Sequence, residues 1–301
     1  MASYRRKRSK RNRSRKVKRP HKYDGIFIGG TNPSDKCIFV ELFAGLGNQL
    51  FMYAGALTVK NKTKLPICLL PITENIHSKE DNRKILFKQG TSVELQNIKP
   101  RMNASPKILD FIKNPHNSWK NTNIPENSSK NIALSRKYYQ NYKSIISVIP
   151  TIRDECKQVF EERYPGFKDT IPPTSAFMHV RKGDYGQFSL NSDYYQRGLK
   201  ELDPVDGIKD IYILSDDIPW CKQQNWQTSK AIQWFESPDE FKCMYLMSLC
   251  VAGAVLSGST FSAWGAILGP DSNASSTIIY PAQWVTGTSK LLDFPSRWKA
   301  I

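Results

Sequence analysis

The stretch Phe177-Met-His-Val-Arg-Lys-Gly-Asp-Tyr185 follows a proline-containing break and predicts a buried strand that runs into a polar loop. Open α/β sheets bind their ligands at the ends of such strands. The loop brings together an imidazole, two cations and a carboxylate, from His179, Arg181, Lys182 and Asp184. Because a guanidinium holds two phosphate oxygens at once and Gly183 lets the backbone approach a ligand, the loop indicates a phosphorylated ligand. An ordinary ion pair on a surface turn is the alternative interpretation.

From residue 175 onward, apolar strands alternate with helical patterns, which is typical of a doubly wound parallel sheet. The pattern predicts strands at 176–181, 210–214, 231–235 and 252–256, and helices at 193–202, 218–224, 239–249 and 261–268. Two of these strands end in polar loops that hold Ser215, Asp216 and Asp217, and Ser259, Thr260, Phe261 and Ser262. In a parallel sheet, these loops and the Arg181 loop face one crevice. The second loop opens a helix, whose free N–H groups favour phosphate, although plain N-capping explains its hydroxyls equally well.

Residues 37–70 predict a β-loop-α-β unit, with strands at 37–43 and 65–70 and a helix that ends near Thr58. The loop between them supplies a candidate cleft segment from Gly45, Gly47, Asn48 and Gln49. Its glycines leave N–H groups available to an anion or a sugar hydroxyl, but the third Gly of a dinucleotide fingerprint is missing. Between 72 and 150, weak periodicity predicts only a helix near 132–142, and a helix at 151–164 precedes the crossing into a second domain.

The net charge of +17 is concentrated at the amino end, because residues 1–22 hold twelve Lys and Arg and no acidic residue. With almost no apolar side chains, this segment is expected to be disordered and to contact a polyanion or a membrane surface through residues 5–22. The chain is therefore divided into a basic tail and linker (1–35), a first domain (36–172) and a second domain (173–301). The six cysteines show no C-x-x-C spacing, which predicts reduced thiols and no metal site.

No signal peptide is evident, and the longest apolar run, 244–256, is well below the roughly 20 residues that span a bilayer. These features predict a cytoplasmic protein, with nuclear or membrane-peripheral placement open through the basic tail.

Four segments match the pattern of one enzyme family. Ala44-Gly-Leu-Gly-Asn-Gln-Leu-Phe51 matches Gly-Gly-Leu-Gly-Asn-Gln-Met-Phe, and His179-Val-Arg-Lys-Gly-Asp-Tyr185 matches His-Val-Arg-Arg-Gly-Asp-Tyr. Ser215-Asp-Asp-Ile-Pro-Trp-Cys221 matches Ser-Asp-Asp-x-x-Trp-Cys, and Gly258-Ser-Thr-Phe-Ser-Ala-Trp-Gly-Ala266 matches Asn-Ser-Thr-Phe-Ser-Trp-Trp-Gly-Ala. In these segments, which lie in the family's order, the chain resembles the α-1,2-fucosyltransferases of glycosyltransferase family 11.

The resemblance implies a GT-B-type pair of Rossmann-like domains, with parallel sheets that face a central cleft. It makes 36–172 the acceptor-side domain and 173–301 the sugar-donor domain. It also implies transfer of L-fucose from GDP-fucose to a glycan acceptor, the 2-OH of a galactose-type sugar, with inversion and with no metal or other cofactor. Arg181 would bind the β-phosphate and stabilise the charge on the leaving GDP, and Asp184 is the candidate general base or a structural partner of Arg181. The residues expected to bind the sugar donor are His179, Arg181, Lys182, Gly183, Ser215, Asp216, Asp217, Asp239, Glu240, Ser259, Thr260, Phe261 and Ser262.

Three of the departures from the family pattern bear on function. Lys182 replaces an Arg and Ala263 replaces a Trp, which is expected to change the acceptor side of the cleft. Cys243 stands where an Asp that recognises guanine is expected. Asp239 and Glu240 lie four and three residues earlier, on the same face of a helix, and are the candidate replacements.

Three other functions stay open. A metal-dependent transferase would use Asp216 and Asp217, although adjacent carboxylates on an extended segment point to opposite sides. A transferase that uses another nucleotide sugar fits the same loops. A nucleic-acid or polyanion binder would use the basic tail on an inactive transferase-like body.

Overall fold

The computed structural model describes residues 37–70, 80–92, 108–109, 132–134, 138–183, 186–269, 276–284, 287–288 and 292–301. The predicted basic tail and linker, 1–35, and the candidate base Asp184 lie outside these ranges. Within them, no helix is long and apolar enough to cross a membrane.

The first sheet has five parallel strands, which are β1 (Ile38–Glu41), β2 (Ile67–Leu70), β3 (Gly90–Ser92), β4 (Ile108–Leu109) and β5 (Ile132–Leu134). Their order across the sheet is β3-β2-β1-β5-β4, so the direction of winding reverses between β1 and β5. All four residues of β1 and of β2 are buried, as expected of parallel strands that are covered on both faces.

In the described part of this half, the helices that accompany the sheet are α1 (Leu46–Thr63), α2 (Asn82–Ile85), α3 (Tyr142–Ile145) and α4 (Ile149–Arg163). The helix predicted near 132–142 is wrong, because its first residues form strand β5. Ile132 and Leu134 are both buried, and the Ile132 N–H donates to the Cys37 carbonyl beside β1. Pairing with a central strand thus overrides a weak local helical pattern. The helix begins later, where the Asn141 side chain accepts from the Ser144 N–H at 3.0 Å.

The second sheet has six parallel strands, which are β6 (Ser175–Val180), β7 (Asp210–Ser215), β8 (Ala231–Phe235), β9 (Gly253–Val255), β10 (Thr277–Tyr280) and β13 (Lys299–Ala300). A separate antiparallel pair is formed by β11 (Gln283–Trp284) and β12 (Gly287–Thr288). The accompanying helices are α5 (Ser192–Leu202), α6 (Ile218–Gln223), α7 (Glu240–Leu249) and α8 (Thr260–Ile267). The strands and helices predicted between 176 and 268 are confirmed, with their ends shifted by a residue or so.

The strand order β13-β10-β9-β6-β7-β8 is that of a Rossmann sheet, in which the first and fourth strands are neighbours. The direction of winding therefore reverses between β6 and β9. The loops that follow these two strands diverge at this point and leave a crevice, which is where open α/β sheets bind ligands.

A shared apolar core joins the two halves of the chain. Phe51 of α1 packs edge-on against Trp264 of α8, with their ring centroids 5.1 Å apart. Arg153 of α4 donates to the Ile267 carbonyl at 2.9 Å, which satisfies the carboxyl end of α8. These contacts place the crevice of one sheet opposite the crevice of the other. The domain boundary expected near residue 172 stays a prediction.

Candidate functional site

A cleft of about 520 Å³ lies between the carboxyl ends of the two sheets. Its volume falls in the range of about 300–1,000 Å³ that is usual for small-molecule sites. Eleven of the predicted site residues line it, namely Gly45, Gly47, Asn48, His179, Arg181, Ser215, Asp216, Glu240, Ser259, Thr260 and Phe261. Six other predicted residues are described but are not among the lining residues, namely Gln49, Lys182, Gly183, Asp217, Asp239 and Ser262.

Asp216 organises the loop that follows β6. Its carboxylate accepts the backbone N–H groups of Lys182, at 2.8 Å, and of Gly183, at 3.0 Å. The same carboxylate lies 3.3 Å from Nε of Arg181, in an ion pair whose side chains are 29% and 23% exposed. A Cβ on Gly183 would lie 2.9 Å from Oδ2 of Asp216, so a side chain there would displace the carboxylate. The end of β7 thus fixes the position of Arg181 in the cleft.

The carboxylate of Asp217 has a different partner from that of Asp216. It caps α6 by accepting the Trp220 N–H at 3.0 Å. In the part of the chain that the structure describes, no three His, Cys, Asp or Glu side chains cluster as metal ligands would. The two adjacent carboxylates therefore do not converge on one point.

Lys182 contributes through its backbone and through packing. While its N–H binds Asp216, its Nζ lies 4.3 Å from the centroid of the Trp220 ring, in a cation–π contact. Either Lys or Arg provides both interactions, so the departure from the family pattern at this position leaves the loop geometry intact.

His179 is the last residue but one of β6, next to the cleft, and is 5% exposed. Its Nδ1 is 2.9 Å from Oγ of Ser257, which follows β9, so the pair spans the point where winding reverses. Burial, and then the nearby positive charge of Arg181, lower the pKa of His179 to about 3. The imidazole is therefore neutral throughout the physiological pH range.

The amino end of α8 forms another wall of the cleft. Ser259 caps this helix by accepting the Phe261 N–H at 3.3 Å, so the capping interpretation of its hydroxyl is confirmed while the residue also lines the cleft. Thr260 donates to Oδ1 of Asn48 at 3.0 Å, which links the helix to the glycine loop. Ser262 is turned inward, where its hydroxyl accepts the Ser257 N–H at 3.1 Å.

The glycine loop contacts α8 directly. A Cβ built on Gly47 would lie 2.4 Å from the backbone nitrogen of Phe261, whereas a Cβ on Gly45 would meet no atom within 4 Å. Gln49 supports the loop from behind by donating to the Ala44 carbonyl at 2.8 Å. Ala44 itself adopts a left-handed conformation with a φ of 62°, at a position where the family pattern has Gly.

The first turn of α7 forms a further wall of the cleft. Glu240 and Cys243 line it, and burial raises the pKa of the Cys243 thiol to about 12. The carboxylate of Asp239 is engaged elsewhere, since it accepts the Phe241 N–H at 3.0 Å and the hydroxyl of Tyr164. Ala263 is fully buried in α8 and does not line the cleft.

Several lining residues escaped the sequence prediction. Phe235 ends β8, a strand that was predicted, and the rule that ligands bind at carboxyl ends of parallel strands would have found it. Tyr138 follows β5, where the sequence pattern predicts a helix, so the pattern does not place Tyr138 at the cleft. Ser257, which is not a lining residue, was also missed, and it contributes by its hydrogen bond to His179.

Two facing Rossmann-like sheets with a ligand cleft between them define the GT-B class of fold. The structure of POFUT1 in complex with GDP-fucose superposes with a TM-score of 0.50 at 11% identity, over 83% of this chain and 99% of that one. The fucosyltransferase NodZ from Bradyrhizobium gives a TM-score of 0.43 at 14% identity, over 84% and 96% of the two chains. The two parallel sheets and the superposition on POFUT1 confirm the predicted GT-B fold.

The sequence comparisons give the family. A model described as glycosyl transferase family 11 matches residues 36–287, and the chain belongs to this family. The O-antigen biosynthesis glycosyltransferase WbnK of Escherichia coli is 28% identical over 123 residues, which are 38% of this chain. The match spans 40% of the length of this curated relative.

Proposed function

We propose that this protein is an inverting, metal-independent glycosyltransferase that moves L-fucose from GDP-fucose to a sugar hydroxyl, the 2-OH of a galactose-type acceptor. The observation that carries the proposal is the position of Arg181. Its guanidinium is held by Asp216 inside the cleft, opposite the amino end of α8. A fixed cation and a helix amino end that face one space are complementary to a diphosphate.

The chemistry follows from where charge develops. When the bond from fucose to the β-phosphate breaks, the pair of bonding electrons stays with GDP, whose phosphate gains negative charge. Arg181 stabilises that charge, and its ion pair with Asp216 already keeps the guanidinium at the cleft wall. Ser259 binds the remaining phosphate oxygens through its hydroxyl hydrogen, and Thr260 binds them through its backbone N–H at the start of α8.

Glu240 is the proposed partner of the guanine base. A carboxylate accepts the hydrogen bonds that the N–H groups of guanine donate, and Glu240 lines the cleft where the family's Asp is replaced by Cys243. The carboxylate of Asp239 caps α7 and accepts the Tyr164 hydroxyl. Glu240 is the better candidate of the two because it lines the cleft and Asp239 does not.

The acceptor would enter from the side of the first sheet, past Gly45, Asn48 and Tyr138. For the general base, Asp184 stays the proposal. Of the two carboxylates among the described lining residues, Asp216 is occupied by two N–H groups and Arg181, and Glu240 is assigned to the base of the nucleotide.

A screen of sugar donors, read by nucleotide release in the presence of galactosides, tests this proposal. GDP-fucose should be consumed in the presence of a chelator, and GDP-mannose and UDP-sugars should not. Use of a UDP-sugar with no use of GDP-fucose would refute the choice of donor, and loss of activity on chelation would refute metal independence.

The guanine assignment has a matched pair of variants. Glu240→Gln should weaken GDP binding about 10-fold or more, since one acceptor oxygen becomes a hydrogen-bond donor that faces another donor. Asp239→Asn keeps the carbonyl oxygen that caps α7 and should leave GDP affinity within about threefold. Calorimetric titration with GDP decides, and equal effects of the two substitutions would contradict the assignment.

A further inference from the structure

Ser257 and His179 form a buried polar pair behind the cleft. Ser257 is 1% exposed and His179 is 5% exposed, and Oγ of the serine lies 2.9 Å from Nδ1 of the ring. The backbone N–H of Ser257 donates to Oγ of Ser262, so both the backbone and the side chain of Ser257 are engaged. Among the residues that the structure describes, none bonds Nε2 of His179, and the ring lines the cleft.

The position of the hydrogen atom between the two residues follows from burial. A buried hydroxyl needs an acceptor for its hydrogen, and within the described ranges the Ser257 hydroxyl has no hydrogen-bond partner other than Nδ1 of His179. If Nδ1 carried the proton, the Ser257 hydroxyl hydrogen would be buried without an acceptor, which is unfavourable. The serine therefore donates, Nδ1 accepts, and the single ring proton lies on Nε2.

We propose that Ser257 is a positioning residue that fixes the tautomer of His179, so that the ring presents a neutral Nε2–H to an anionic group bound in the cleft. His179 then adds a hydrogen bond to the diphosphate next to Arg181. The ring does not act as the base that takes the acceptor's proton, because Nε2 already carries one and Nδ1 is occupied. The role toward a diphosphate rests on the proposed function, whereas the tautomer itself does not.

The charged groups around the ring are compatible with this state. Arg181, on the same loop, opposes a second proton on the ring. Among the lining residues that the structure describes, Asp216 and Glu240 are the carboxylates, and Asp216 is neutralised by Arg181 and two backbone N–H groups. Within the described ranges no carboxylate pairs with His179, so a neutral donor fits the site better than an imidazolium.

Nitrogen-15 NMR on the full-length protein tests the tautomer without any ligand. The chain has four histidines, so the signals of His179 are identified as those that vanish in His179→Gln. We expect a protonated Nε2 and an unprotonated Nδ1, both unchanged from pH 5 to pH 8. A protonated Nδ1, or an imidazolium at pH 7, would overturn the proposal.

Ser257→Ala and Ser262→Ala form a matched pair. Both remove a buried hydroxyl from the same turn, but only the first touches the ring. Ser257→Ala should populate the Nδ1–H form, whereas Ser262→Ala should leave the Nε2–H form intact. Equal tautomer shifts in the two variants would show that packing of the turn sets the ring, and would overturn the role of Ser257. If Ser257→Ala does not fold, the spectrum of the unsubstituted protein still decides.

Transfer kinetics in two backgrounds separate positioning from a structural effect. Ser257→Ala should lower turnover about tenfold, less than the roughly 10²–10³ lost when a preorganised donor is removed outright. In a His179→Gln background, whose amide donates without a choice of tautomer, the same substitution should cost less than about twofold. Equal losses in both backgrounds would overturn the proposal. A protein with the expected tautomer that fails to bind GDP would instead contradict the proposed function alone.

Discussion

Gly47 is the position at which the structure predicts the sharpest effect of a single methyl group. The Cβ of an alanine there would lie 2.4 Å from the Phe261 nitrogen and 2.5 Å from the Thr260 carbonyl carbon. Ordinary contacts begin near 3.4 Å, so α1 and α8 would have to separate by about 1 Å. Neither atom belongs to a flexible side chain that could turn away. The strain therefore falls on the crossing of two helices, at the wall of the cleft.

The expected cost follows from two opposing terms. Overpacking of this kind costs about 1–3 kcal/mol, and contact with rigid backbone places Gly47→Ala near the upper end. The better helix propensity of alanine offsets up to about 1 kcal/mol of this loss of stability. A net loss of about 2 kcal/mol corresponds to a fall in Tm of about 4–8 °C. Because Thr260 and Phe261 line the cleft, GDP affinity should fall along with the Tm.

Gly45→Ala is the matched control, since it makes the same chemical change two residues earlier in the same loop. No atom lies within 4 Å of its added Cβ, and a φ of −73° with a ψ of 165° suits alanine. Its Tm should stay within about 2 °C of the parent protein, because the lost N-cap preference and the reduced entropy of the unfolded chain nearly cancel. Thermal unfolding followed by circular dichroism, and titration with GDP, compare the two variants. A Gly47→Ala protein as stable as Gly45→Ala would refute the close crossing of α1 and α8.

Three further predictions concern charge. Arg181→Lys keeps the charge but loses the two-point contact, so turnover should fall by about 10²–10³ with a smaller change in donor KM. Lys182→Arg should have only a mild effect, and near-normal turnover of Arg181→Lys would show that Arg181 only binds the donor. Because burial lowers the pKa of His179 from 6.5 to about 3, the unfolded chain binds more protons between these values. The free energy of unfolding is therefore not reduced by His179 above pH 6.5, and below pH 6.5 it falls by up to about 1.4 kcal/mol per pH unit. In urea unfolding below pH 6.5, the stability of His179→Gln should depend less on pH than that of the parent protein. Removal of residues 1–30 should abolish salt-sensitive retention on heparin and leave Tm and GDP affinity unchanged, and a lower Tm would show that the tail packs on the body.

The sequence predicted the second sheet better than the first for a physical reason. Between 175 and 268, each strand is a short apolar run bounded by polar loops, so local pattern and final structure agree. Strand β5 is only three residues long, and its identity depends on pairing with β1, nearly a hundred residues earlier in the chain. No local pattern carries such information. Tyr138 was missed for the same reason, since it follows β5, whereas the glycine loop that also lines the cleft follows a strand that was predicted.

Which residue types serve the site was predictable, but which atoms face the ligand was not. Asp216 and Asp217 are adjacent and chemically identical, yet one holds Arg181 and the other caps α6. Asp239 and Glu240 divide in the same way between a helix cap and the cleft. In each pair the choice is made by where a helix begins, because the N-cap position uses its own carboxylate on the first turn.

The four family segments are bound to one another, which explains why they recur together at large separations in sequence. Asn48 of the first accepts the Thr260 hydroxyl of the fourth, and Asp216 of the third accepts two N–H groups of the second. Loss of one segment would therefore leave buried or half-buried polar groups of another without partners. The departures in this chain avoid those links. Lys182 keeps the backbone N–H that binds Asp216, and Ala263 is buried behind the wall rather than in it. Since the contacts between segments survive and the cleft keeps its cation and its helix amino end, the substitutions are compatible with a working phosphate site, and Cys243 is the departure that bears on which base the cleft selects.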